Sequence, residues 1–173
     1  QQQRKGGFLM GLDMYLYRRQ YASGYEFLRK SNNANEDREV AIFDGVIKAV
    51  GITPAAQSPH VTVDVCVAYW RKANAIHKWF CDLDGGRDEC QDIPVSVDQL
   101  RQLRDLAWHV SVTPALAAST LPTQQGFFFG SYDYDEWYME DMKNTVDQID
   151  AILAEIPEDA TPWTTSFYYR ASW

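Results

Sequence analysis

Val61-Thr62-Val63-Asp64-Val65-Cys66-Val67 sets a valine at every second position. A period of two puts the valines on one face of an extended chain, so this is the clearest strand in the sequence, and we expect it at the centre of a small sheet. Upstream, Leu12–Arg19 is rich in Met, Tyr and Leu and reads as a first strand. Short strands are expected at Ile93–Val95, Gly126–Phe129 and Ser166–Arg170. Helices are expected at Glu39–Val50, ended by Gly51; at Tyr69–Asp82; from Ser96, which forms a capping box with Gln99, to about Val110; and at Asp133–Ile156, which should pack across the sheet. Strands and helices do not alternate as βαβ units. The expected class is therefore α+β: a mainly antiparallel sheet packed with three to four helices.

The polar run Ser31–Asp37, SNNANED, reads as a mobile loop, and Thr53–Pro59, with two prolines, as a connector. No repeat, interdomain linker or low-complexity tract divides the 173 residues, so one domain is expected over 10–173. A hydrophobic share of 46% supports a packed core rather than disorder. No run of about 18 apolar residues is present to span a membrane. The net charge of −8 opposes direct nucleic-acid binding, which needs clustered cations against phosphate. Cys66, Cys81 and Cys90 form an odd set without a C-x-x-C pair, as in reduced cytoplasmic thiols; a Cys81–Cys90 bridge is the alternative.

Residues 1–9, QQQRKGGFL, lack the apolar core and cleavage site of a secretory signal. Arg-Lys-Gly-Gly back-translates to AGA-AAG-GGA-GGT, a purine-rich ribosome-binding sequence a few codons before the ATG of Met10. Gln1–Leu9 is thus expected to be a leader read in frame, in a bacterial or viral gene, or else a polar tail.

At about 100° per residue, the first of the three later helices gathers Trp70, Ala73, His77, Phe80 and Cys81 on one face, with Asn74 at its border. Arg71, Lys72, Ala75, Lys78 and Trp79 fall opposite. The next buries Leu100, Leu103, Leu106, Ala107 and Val110; the last buries Tyr138, Met142, Val146, Ile149, Leu153 and Ile156. Trp79, Trp108 and Trp137 consequently sit on polar faces. Either loops and the C-terminal strand cover them, or they form an interface, with a two-fold homodimer the simplest arrangement.

Chemistry is sparsely signalled. His77 is either a general base or ligand contact, or a core histidine held by a carbonyl. No H-x-x-x-H or H-E-x-x-H pattern marks a metal site, and no cofactor fingerprint is present. Asp82–Asp88, DLDGGRD, departs from a calcium loop at its fifth and sixth positions. Asp133, Asp135 and Glu136 suit either a divalent cation or a helix N-terminus. Two dense segments remain: YWRKANAIHKWF, Tyr69–Phe80, and LPTQQGFFFGSYDYDEWY, Leu121–Tyr138. Their cations, amides and aromatic rings suit a pocket for a nucleotide or other planar anion. The candidate ligand-binding set is Trp70, Arg71, Lys72, Asn74, His77, Gln124, Gly126, Phe128 and Tyr134.

Together with the opening MGLDMYLY at Met10 and the closing SFYYRASW, these segments resemble a family of small proteins from tailed phages and prophages. The likeness spans Met10–Trp173 in outline, without a signature over Gln20–Pro59. That family brings no established catalytic residues. What it implies is phage origin and, by analogy of class, a factor that blunts host defence. The leading expectation is a non-catalytic cytoplasmic protein that sequesters a small nucleotide-derived host immune signal. The alternatives are an acidic inhibitor of a host nuclease or other nucleic-acid-binding defence protein, and a small hydrolase or transferase using His77 with Asp133 or Asp135.

Overall fold

The computed structural model describes residues 11–30, 33–55, 58–126, 129–158, 160–161 and 165–173. The expected leader Gln1–Leu9 and the candidate ligand contact Phe128 lie outside them. Four strands, β1 (Asp13–Ser23), β2 (His60–Arg71), β3 (Ile93–Val95) and β4 (Ser166–Ser172), form one antiparallel sheet in the order β2-β1-β4-β3. The helices are α1 (Ala34–Val50), α2 (Asn74–Asp82), α3 (Val97–Val112), α4 (Ala117–Thr120) and α5 (Glu136–Ala154). The class is α+β, as the pattern of elements indicates. No helix among the described residues is long and apolar enough to cross a membrane.

The chain packs as two compact units. The described residues of the larger fall within Gln1–Tyr17, Cys66–Pro157 and Phe167–Trp173; those of the smaller fall within Arg18–Val65 and Glu158–Ser166.

In the larger unit, Met14 and Leu16 point from one face of β1 into the core and are fully buried, as is Leu12 just before it. Phe167, Tyr169 and Ala171 do the same from β4. β3 sets Ile93 opposite Tyr169 and Val95 opposite Phe167, so buried side chains meet across the pair. The other face carries tyrosines: Tyr15 meets Tyr69 with ring centroids 5.3 Å apart, and Tyr17 stacks on Tyr168 at 5.2 Å. The core is completed by Leu100, Leu103, Ala107 and Val110 of α3 and Tyr138, Met142, Ile149 and Ile152 of α5. Each large apolar side chain so buried contributes about 1.5–3 kcal/mol. The capping box forms as expected: Ser96 Oγ accepts from Gln99 N at 3.1 Å, and Gln99 Oε1 accepts from Ser96 N at 2.8 Å.

In the smaller unit α1 buries Phe43. A Cβ on Gly24 would come within 2.4 Å of the Phe43 ring, so only glycine fits there. Gly51 ends α1 in the left-handed region, φ 69°, its N–H donating to Ile47 O.

Several expectations need correction. β2 is an edge strand, not the central one: Val65 is 53% exposed, and Asp64 holds Arg19 in a two-pronged ion pair on the surface. Alternation reports that a strand has one better-covered face; it says nothing about how many neighbours the strand has, and β1 and β4 take the centre. The helix expected from Tyr69 starts at Asn74. Tyr69–Arg71 continue β2, and Lys72 then turns the chain with φ 60° while its N–H donates to Leu12 O. Trp70 is therefore buried from the strand, and Ala75 and Ile76, beyond the expected apolar face of α2, are buried too. Within Ser31–Asp37, the described part is not a loop after Asn33. The Asn33 side chain caps α1, and Glu36 and Asp37 occupy its first turn. Asp135 caps α5 by accepting from Tyr138 N at 3.0 Å, so that helix begins at Glu136 rather than Asp133. Gly126 and Phe129 lie outside any strand. α5 lies along α3 and meets β2 where Trp70 Nε1 donates to Thr145 Oγ1 at 2.9 Å and the Gln148 amide pairs with the Tyr69 backbone.

Candidate functional site

Both dense sequence segments meet at the start of α2. Asn74, the first residue of that helix, is buried, and its side chain spends its polar atoms on the loop after α4. Nδ2 donates to Phe129 O at 3.0 Å and to Ser131 O at 2.7 Å, while Oδ1 accepts from Gln124 N at 3.2 Å. The loop is further knit by Thr123 Oγ1 donating to Tyr132 O and by Tyr132 Oη donating to Gly126 O. Two of its glycines are required. A Cβ on Gly126 would overlap the Phe129 ring at 2.4 Å, and one on Gly130, whose φ is 85°, would come within 3.1 Å of Lys72 Cβ.

Beside this junction lies an open cavity of about 1320 Å³, bounded by the β2–α2 turn, the loop, and the first half of α5. Arg71 and Lys72 supply its cationic edge, Tyr134 and Trp137 its exposed rings, and Asp133, Glu136 and Glu140 an acidic wall. Of the expected ligand-binding residues, Arg71, Lys72, Asn74 and Tyr134 line the cavity. Trp70, His77, Gln124 and Gly126 are not part of the lining. Arg71 also lies 4.0 Å from Asp13. Asp141, half-buried in the cavity lining, has its carboxyl pushed up to about 7, chiefly by burial and then by Glu140 and Asp135.

The three tryptophans separate. Trp79 is half-buried against the core with its ring edge-on to Phe80, whereas Trp108 is 43% and Trp137 74% exposed. Trp137, expected at an interface, lines the cavity.

His77 sits one turn into α2, 1% exposed, with both ring nitrogens engaged. Nδ1 lies 2.6 Å from Tyr169 Oη, and Nε2 lies 3.0 Å from Asp88 Oδ1. Its carboxylate partner is thus Asp88, not Asp133 or Asp135. Burial lowers the imidazole pKa against the opposing pull of Asp88, so the ring is neutral at neutral pH. A neutral ring satisfies both contacts when Nε2–H donates to Asp88 and the Tyr169 hydroxyl donates to Nδ1. Cys81 follows one turn later, with Sγ 3.6 Å from His77 Nε2; burial and then Asp88 push its thiol up to about 12. The second Asp88 oxygen accepts from Gln124 Nε2 at 3.3 Å. In the neighbouring turn Asp84 is held by Arg87 and Gln91. The four-residue spacing set Cys81 on the same helix face as His77, and the structure brings the two together; the sequence reading missed Asp88 and Tyr169 as the ring's hydrogen-bond partners. Cys66, Cys81 and Cys90 are free, and Cys81 alone is buried.

No protein-family model matches this chain, and no curated protein or solved structure matches it.

Proposed function

We propose that the protein is a non-catalytic binder, phage-encoded and acting in the cytoplasm of an infected or lysogenic host, that sequesters a small nucleotide-derived immune signal in the cavity beside α2. One observation carries this reading: two segments about fifty residues apart in sequence converge on a single cavity that joins cations to exposed aromatic rings. A phosphate group would meet Arg71 and Lys72 where the uncapped N-terminus of α2 adds its own positive end. A base would lie on Tyr134 or Trp137, and its amino groups and the ribose hydroxyls would donate to the acidic wall. Base–aromatic stacking contributes about 1–3 kcal/mol.

The test is native mass spectrometry of protein purified from cells, followed by calorimetric titration with mononucleotides, cyclic dinucleotides and ADP-ribose. A co-purifying nucleotide mass is expected. Arg71→Ala should weaken binding of the nucleotide so identified at least about tenfold, the loss of one charge-assisted contact. Its melting temperature should stay near that of the parent. Unchanged affinity with a lowered melting temperature would make Arg71 a structural ion-pair partner of Asp13 and remove the site.

A second reading rests on Trp137, 74% exposed among Asp133, Glu136 and Glu140: an acidic inhibitor docking on a basic host defence protein. Under that reading no nucleotide binds, and Trp137→Ala abolishes the association.

A further inference from the structure

We propose that His77 Nε2, Cys81 Sγ and Asp88 Oδ1 form a three-donor site for Zn²⁺ or a chemically similar transition-metal ion, distinct from the cavity.

The donor set is what points to a metal. One nitrogen, one sulfur and one carboxylate oxygen converge, all within 4.8 Å of one another. With zinc bonds of about 2.0–2.1 Å to nitrogen, 2.3 Å to sulfur and 2.0–2.2 Å to oxygen, the edges of a tetrahedron measure about 3.3–3.6 Å. The His77 Nε2 to Cys81 Sγ distance is 3.6 Å, and His77 Nε2 to Asp88 Oδ1 is 3.0 Å. The first edge already has the required length. The second opens by a few tenths of an ångström when a hydrogen bond gives way to two metal bonds.

The backbone brings these donors together by local means. His77 and Cys81 stand one turn apart on α2. The chain then reverses at Gly85 and Gly86, both at positive φ, with Gly86 N donating to Cys81 O at 2.9 Å, and returns Asp88 to the same place. The outer contacts are those that metal sites use to orient their ligands. Tyr169 Oη lies 2.6 Å from the remote His77 nitrogen, and Gln124 Nε2 holds the remote Asp88 oxygen at 3.3 Å. His77 and Cys81 are buried, while the Asp88 side chain is 21% exposed and provides the way in. Thiolate and imidazole favour zinc and its neighbours over calcium or magnesium, which prefer all-oxygen sites.

On coordination the Cys81 S–H proton leaves to solvent and the thiolate lone pair forms the metal–sulfur bond. His77 stays neutral but changes tautomer: Nε2 binds the metal and Nδ1–H donates to Tyr169 Oη. Asp88 supplies an oxygen lone pair as carboxylate. One proton is released per ion, no oxidation state changes, and the fourth tetrahedral position is left to water.

The test uses the full chain, stripped with chelator and titrated with Co²⁺ and then Zn²⁺. One Co²⁺ per chain is expected, with a near-ultraviolet thiolate-to-cobalt band and visible bands of tetrahedral intensity, both erased by Zn²⁺. The double variant Cys66→Ser/Cys90→Ser should keep these bands, and Cys81→Ser should lose the charge-transfer band. Should Cys81→Ser fail to fold, Asp88→Asn, at a partly exposed position, carries the test. It should lower Zn²⁺ affinity at least about tenfold and abolish the rise in melting temperature that Zn²⁺ gives the parent. No cobalt uptake, or bands that persist in Cys81→Ser and vanish in Cys66→Ser/Cys90→Ser, would overturn the proposal. Neither outcome bears on nucleotide binding at the cavity.

Discussion

Asn74 ties the start of α2 to the loop that borders the cavity, and replacing it probes that tie directly. Asn74→Ala removes three hydrogen bonds, to Phe129 O, Ser131 O and Gln124 N. At about 0.5–1.5 kcal/mol each, the loss is about 2–4 kcal/mol, offset by at most about 0.5 kcal/mol from the better helix propensity of alanine. Asn74→Asp has nearly the same shape and keeps the acceptor for Gln124 N. It exchanges the two-hydrogen donor for an anionic oxygen facing two carbonyl oxygens, at positions now 2.7 and 3.0 Å apart. Asp should therefore be worse than Ala at pH 7.5, by about 1–2 kcal/mol. The introduced carboxyl, buried against two acceptors, has its folded-state pKa raised above the unfolded value. Its protonated form regains one donor, so the deficit relative to the parent shrinks as pH falls through the raised pKa. Urea unfolding of parent and both variants at pH 7.5 and 5.0 measures all of this. If Asn74→Asp matches the parent at pH 7.5, or if its deficit is the same at both pH values, the amide is not oriented as described.

Two other perturbations follow from the same structure. Asp141, with a folded-state pKa of about 7 against an ordinary 3.8, favours folding fully only below about pH 4, and that contribution is lost as pH rises toward and past 7. Asp141→Asn should accordingly gain stability over the parent at pH 8 and little at pH 4.5. The gain is about 1–2 kcal/mol once solvent screening of a partly exposed group is allowed for, which thermal melts at the two pH values would register as a few degrees. Val65→Asp, on the outer strand, should change stability by only about 0.5 kcal/mol, whereas Leu16→Ala in β1 should cost about 2–5 kcal/mol. A large loss in the Val65 variant would return β2 to the interior.

Features written into neighbouring residues were legible in the sequence. The Ser96–Gln99 capping box, the Gly51 stop, the buried faces of α3 and α5, and the strands at Ile93–Val95 and Ser166–Arg170 follow from spacing within one or two turns. So does the α+β class, because it depends only on the kinds and order of elements. Strand order was not legible. The valine alternation of β2 carries no information about which neighbours pair, and the pairing of β1 with β4 joins opposite ends of the chain. The turn at Lys72 was hidden as well: Tyr69–Phe80 has helical spacing throughout, and tertiary contacts hold its first residues extended, namely the pairing of β2 with β1, the Gln148 amide on the Tyr69 backbone and the bond from Lys72 N to Leu12 O. The same holds for the chemistry. His77 stood out by its type, but Tyr169, 92 residues away, and Asp88, beyond a glycine reversal, become its partners only when the core closes. Periodicity can place a histidine on a buried face. Which polar groups meet it there is decided by packing, because each buried donor and acceptor must find a partner among whatever the fold brings within reach.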